Sequence, residues 1–205
     1  MKSLTTMIVE GDVYDINEAI EAALKNSKPI DVLEELIAGL HRAGELYQKG
    51  EIFIIDIMSA AEVFKEAMKL VQPALGKTKR KFLGKIVVGT VEGDIHDIGK
   101  NIVAIMLEGA GFEVVDLGID ISPGKFVEAV KKHQPQILAL SALITSTMTK
   151  MEETIKALKD AGIRKNVKII VGGAPVSERY AQSIGADSYA IDAVGAIDKA
   201  VALLK

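Results

Sequence analysis

The feature that most constrains this chain is a change of rhythm near its middle. Up to about Leu75 the apolar residues recur three and four apart, as in Ile16, Ile20, Ala23 and Leu24, and again in Val32, Leu33, Leu36, Ile37 and Leu40. That spacing lays them along one face of successive helices. From Lys85 onward, short β-branched runs alternate with amphipathic stretches of helical period. Such a pattern calls for two cores, and 205 residues with 49% hydrophobic content suffice for two modest ones.

The first part reads as all-helical. Breaks at Gly11-Asp12, at Asn26-Ser27-Lys28-Pro29 and at Lys49-Gly50 predict a short first helix and three longer ones, the last from Ile54 to Val71. Four such stripes are buried by packing as a bundle. The basic run from Gly76 to Lys81 reads as a solvated hinge. The expected organisation is a helical bundle over 1–76, a linker over 77–81 and an α/β domain over 82–205.

The β-branched runs are Lys85–Val91, Phe112–Leu117, Ile137–Ser141, Val167–Val171 and a weaker Ser188–Ala190. The first, third and fourth are nearly continuous in apolar character, which predicts strands covered on both faces and therefore a parallel sheet. Ser122-Pro123 supplies an N-cap and a proline at the first helical position, while Gly162 and Gly185 follow helix ends. Five βα units of this kind form a doubly wound, Rossmann- or flavodoxin-like sheet. In the commonest five-strand order, 2-1-3-4-5, the ligand crevice lies beyond the carboxyl ends of strands one and three. The loops after Val91 and after Ser141 are therefore the ones to inspect.

Composition closes other routes. Without cysteine there can be no disulfide, iron–sulfur cluster or thiolate metal site. The 28 acidic and 25 basic residues are spread along the chain, which argues against nucleic acid as a partner. No apolar signal core opens the sequence and no run of 18 apolar residues occurs, so the expectation is a cytoplasmic protein without membrane spans.

The first loop reads Glu92-Gly93-Asp94-Ile95-His96-Asp97-Ile98-Gly99-Lys100-Asn101. Asp94 could hold one nitrogen of the His96 ring while the other faces a metal. The same residues also suit a satisfied loop histidine followed by an aspartate helix cap. The second loop runs Ser141-Ala142-Leu143-Ile144-Thr145-Ser146-Thr147, and the fourth strand ends in Val171-Gly172-Gly173. A small Ser141 and paired glycines would let a bulky group approach beside the sheet. Taken singly, they are equally an ordinary strand end and an ordinary turn.

Together, Asp94-x-His96-x-x-Gly99, Ser141-x-Leu143 and Gly172-Gly173 resemble the cobalamin-binding signature of the methionine synthase type. The intervals match as well, with positions 100 to 140 between Gly99 and Ser141 and 144 to 171 between Leu143 and Gly172. The resemblance covers nearly the whole chain, because corrinoid proteins of methyltransferase systems also begin with a helical bundle. Gly50 to Ile54, leading into Met58 to Glu62, looks like that family's cap segment. A proline common after the apolar patch is missing, and Ile55 and Asp56 stand there instead. Phe53 is then either a cap contact or plain bundle core.

The resemblance implies a cofactor, cobalamin or a related corrinoid, present as methylcobalamin when loaded. His96 would be the lower axial ligand of cobalt, backed by Asp94 and by Thr147, which stands where methionine synthase has serine. Ser141, Leu143, Gly172 and Gly173 would line a slot for the displaced nucleotide tail, and Phe53, Ile57 and Met58 would cover the upper face. The implied activity is that of a methyl carrier, not catalytic alone. A donor-specific methyltransferase would load it from methanol, a methylamine, glycine betaine or a methoxylated aromatic. A second methyltransferase would pass the methyl group to a folate or thiol acceptor, with a reductive activation protein as a further partner. Two other functions share the signature. The cobalamin subunit of a radical mutase usually lacks the bundle, and a cobalamin-based sensor needs an output element, yet no helix-turn-helix or basic recognition stretch precedes Leu4. A receiver-like domain without cofactor finds no support, since no early acidic pair follows the first strand in receiver fashion.

Overall fold

The computed structural model describes residues 2–74 and 82–205, which form two compact units. The linker expected over 77–81 lies outside the described residues. Among those described, no helix is long and apolar enough to cross a membrane.

The first unit holds helices α1 (Leu4–Glu10), α2 (Ile16–Asn26), α3 (Pro29–Gln48) and α4 (Ile54–Ala74). Each boundary has a local cause. The Ser3 side chain accepts from the Thr6 N–H at the start of α1, and Gly11, at φ 70°, turns the chain out of it. Pro29 opens α3 where a missing N–H does no harm. The apolar stripes meet in a core that includes Ile8, Ile20, Leu36 and Phe64, all essentially inaccessible. Burying each such side chain contributes about 1.5–3 kcal/mol. Gly39 of α3 is required by this packing, since a Cβ there would stand 2.7 Å from the Ile8 Cβ.

The second unit runs β1 (Lys85–Thr90), α5 (Ile98–Gly109), β2 (Glu113–Asp116), α6 (Pro123–His133), β3 (Ile137–Ser141), α7 (Thr149–Asp160), β4 (Lys168–Gly172), α8 (Glu178–Ile184), β5 (Ser188–Ala190) and α9 (Ala193–Leu203). Short 3₁₀ turns over Thr145–Thr147 and Arg164–Asn166 precede α7 and β4. All five strands are parallel, in the order β2-β1-β3-β4-β5. Strand limits differ slightly from the sequence pattern. β1 stops at Thr90, with Val91 making only an isolated bridge to Ile121, and β2 is shorter than its apolar run. Alternation along the strands sends Val87, Leu138, Leu140, Ile169 and Val171 into a core shared with Phe126 and Ile155. Helices α5 and α9 pack together and against the sheet's other face. Gln134 ends α6 at φ 48°, taking without glycine the left-handed conformation that Gly162 and Gly185 adopt elsewhere.

Register decides where a ligand can sit. Thr90 pairs with Ser141 and Ser141 with Gly172, so the three central strands finish level and release their loops side by side.

Candidate cofactor site

After β1 the chain folds back through Gly93, at φ 78°, and brings Asp94 beneath the loop that follows β3. The Asp94 side chain is fully buried. One carboxylate oxygen, Oδ1, accepts from the His96 backbone N–H (3.1 Å) and lies 2.8 Å from the His96 ring nitrogen Nδ1. The other, Oδ2, accepts from the backbone N–H groups of Leu143 (2.7 Å) and Ile144 (3.4 Å) and lies 2.8 Å from the Thr147 hydroxyl. That hydroxyl also lies 2.9 Å from the Ile144 carbonyl, but it has one proton, and the anionic carboxylate is the stronger acceptor. Burial alone would push the Asp94 carboxyl up. The hydrogen bonds from Leu143, Thr147 and His96 outweigh it and hold the group well below the usual carboxylate range.

An ionised carboxylate only accepts, so Nδ1 must carry a hydrogen, and in the neutral ring that leaves the lone pair on Nε2. The His96 side chain is 48% exposed. The loop is held from two further sides. Thr90, buried at the end of β1, donates its hydroxyl to the His96 carbonyl at 3.0 Å. Asp120, at φ 54°, accepts from the Gly93 N–H at 2.7 Å and returns its own N–H to the Asp94 carbonyl.

Asp94, His96, Leu143 and Thr147 are joined directly by the bonds above. Ser141 lies between Thr90 and Gly172 at the level strand ends. Gly172 and Gly173 have a tighter reason to be glycine than an open slot. A Cβ at Gly172 would stand 2.9 Å from the Ala190 carbonyl oxygen, and one at Gly173, φ 119°, would stand 1.9 Å from that of Ala142. Gly99 is the opposite case. It opens α5 with helical backbone, and a Cβ there would meet no atom within 4 Å, so this chain's own packing does not demand a glycine. Phe53 and Met58 belong to the helical unit. Phe53 is 74% exposed, which corrects the bundle-core alternative, and Met58 is half-buried. Ile57, expected beside them, is buried and offers no contact surface. Asp97 takes the N-cap position of α5, yet its carboxylate accepts from the Asn101 side chain instead of a backbone N–H.

Sequence reasoning missed Thr90, Asp120 and Lys100. The Lys100 ammonium is buried against Asp116 and Asn101, anchoring the start of α5 to the end of β2. A lysine inside an apolar helix stripe was the available signal for it.

These residues suit a corrinoid. Among the described residues no three His, Cys, Asp or Glu side chains cluster to hold a metal ion. A lone imidazole with a free Nε2 suits a metal that arrives with its own equatorial ligands. In the loops on the same end of the sheet Ile95, Ile98, Ile119, Leu143, Ile144 and Ile191 are each exposed by more than a third, although water would favour their burial. All six follow the carboxyl ends of strands, where an apolar macrocycle would cover them.

Comparison with known proteins agrees. A B12 binding domain family matches residues 84–204, and a second family of the same description matches residues 1–72. Trimethylamine corrinoid protein 2 of Methanosarcina acetivorans is 45% identical over 192 residues, covering 92% of this chain and 87% of that protein. Dimethylamine corrinoid protein 1 of Methanosarcina mazei is 40% identical, covering 100% and 95%. Among solved structures, the methanol:cobalamin methyltransferase complex of Methanosarcina barkeri superposes with a TM-score of 0.85 at 32% identity, covering 98% of this chain and 78% of that one. A cobalamin-binding protein from Desulfitobacterium hafniense gives 0.79 at 35%, covering 98% and 96%. With the imidazole, its buried carboxylate and the apolar rim all in place, the chain belongs to the B12-binding family, as a corrinoid protein of methyltransferase systems.

Proposed function

We propose that this chain carries methyl groups between two methyltransferases, accepting them from a donor-specific enzyme and yielding them to a second that serves a folate or thiol acceptor. The relatives named for trimethylamine and dimethylamine support a methylated amine as the donor. The observation that carries the reading is the His96 ring, fixed through Nδ1 by a buried, ionised Asp94 with Nε2 left for a metal. Bound cobalamin supplies a cobalt centre able to accept a methyl group and release it again.

The chain's own residues do the rest. His96 would hold the cobalt through Nε2. Asp94 would orient the ring by accepting the Nδ1 hydrogen, its negative charge strengthening Nε2 as a donor to the metal. Thr147 and the Leu143 N–H hold the carboxylate still, so the negative charge stays under the ring. Ser141, Leu143, Gly172 and Gly173 are proposed to border the nucleotide tail, with Gly99 leaving room where the cofactor passes α5. Phe53 and Met58 would be apolar contacts of the cofactor, a role supported by the exposure of Phe53. A reductive activation protein is a further expected partner.

The test is the visible spectrum of the full chain reconstituted with cobalamin. The parent is expected to show a nitrogen lower ligand, and His96→Ala to retain cofactor with that ligand lost. Identical spectra would overturn the assignment of His96.

A further inference from the structure

Thr90 closes β1 with no exposed surface, and its main chain is fully engaged: the N–H donates to the Gly118 carbonyl and the carbonyl accepts from Ile121. Both bonds secure the connection after β2 and would survive any side chain at this position. The side chain has a different task. Val88, two residues earlier on the same strand face, is a buried residue of nearly the same shape without a hydroxyl. A valine would fill position 90 equally well, so what threonine adds is a donor, aimed at the His96 carbonyl 3.0 Å away.

We infer that Thr90 is a positioning residue for cobalt ligation, its hydroxyl fixing the main chain of His96 and hence the point from which the imidazole reaches the metal. This rests on the reading of His96 as axial ligand. The side chain of that histidine is held at Nδ1 by Asp94, and its backbone is held by the Asp94 carboxylate at the N–H and by Thr90 at the carbonyl. Asp94 alone leaves the His96 carbonyl unheld. With Thr90 added, the main chain that carries the imidazole is tied to the end of a central strand, and strands hold a site more precisely than loops do.

The test uses the full chain with cob(II)alamin, whose electron paramagnetic resonance spectrum is split further by a ligating nitrogen. Thr90→Ser keeps the donor and is expected to match the parent. Thr90→Val removes it and should lower the ratio of nitrogen-ligated to unligated cobalt about tenfold, the effect of leaving one part-buried carbonyl without its donor. A parent-like ratio in Thr90→Val, or an equal loss in Thr90→Ser, would overturn the inference. A second measurement needs no cofactor. In the ring carbon–proton correlation spectrum of the cobalamin-free protein, the His96 signal should shift or broaden in Thr90→Val, with His41 and His133 unchanged as internal references. If the parent shows no nitrogen ligand, the reading of His96 fails, and the ring spectrum still decides whether Thr90 holds it. Should Thr90→Val not fold, Thr90→Ala replaces it in both measurements.

Discussion

Asp94 joins two loops through a single carboxylate, accepting from His96 on one oxygen and from Leu143, Ile144 and Thr147 on the other. Because its folded pKa lies below the usual 3.8, the unfolded chain binds more protons between the two values, and stability rises with pH across that window. The contribution is complete above about pH 4 and fades as pH falls toward the folded value. Asp94→Asn should therefore cost about 2 kcal/mol at pH 7, since an amide presents N–H groups to donors that need an acceptor. Urea denaturation at pH 7 and at pH 3 should find the gap between variant and parent smaller at the lower pH. The pairing of Asp94 with His96 was legible in the sequence because only Ile95 separates them and the loop follows a strand. Asp120, which steadies the same loop from 27 residues away, was not, since only the finished sheet brings it near. The glycines at 172 and 173 were legible as glycines but not for their reason. They are excluded from bearing a side chain by the carbonyls of Ala190 and Ala142, so a bulky variant there would lose cofactor through misfolding whether or not a tail passes by.

At the scale of elements, the loop after β3 matters as much as the one after β1. It turns through the short 3₁₀ segment Thr145–Thr147 into α7, and the junction is pinned from α8, where the Tyr180 hydroxyl donates to the Met148 carbonyl at 2.6 Å. Desolvation raises the pKa of that phenol, so it stays a donor at neutral pH. Tyr180→Phe should lower stability by about 1 kcal/mol. The same change should quicken amide exchange over residues 144–148, measured by hydrogen–deuterium exchange, while β3 itself stays protected. The parallel sheet was readable from its continuous apolar runs, which suit strands covered on both faces, and strand order and crevice followed from the commonest arrangement of five such units. The strand ends were less readable. Val91 is as apolar as its predecessors, yet β3 ends opposite Thr90, so Val91 keeps only its N–H bond to the Ser141 carbonyl and one bridge to Ile121.

For the molecule as a whole, the two units each carry a core of their own, the first built on residues such as Ile8 and Phe64 and the second on Phe126 and the sheet. A fragment of residues 82–205 is accordingly expected to fold alone and to keep cobalamin through His96. Far-ultraviolet circular dichroism and cofactor retention on gel filtration would check this, and an unfolded fragment would show that the second core is insufficient by itself. The change of rhythm in the sequence made the two cores legible because helical and strand periods bury different faces. The link from Asp94 to Leu143 and Thr147 also has a consequence in time. It closes a loop of 49 to 53 residues and cannot form until β3 has docked beside β1. A ribosome must therefore release the chain well past Thr147 before the imidazole has its seat. Loading of the cofactor therefore waits on that docking, and a product truncated before Leu143 is expected not to retain it.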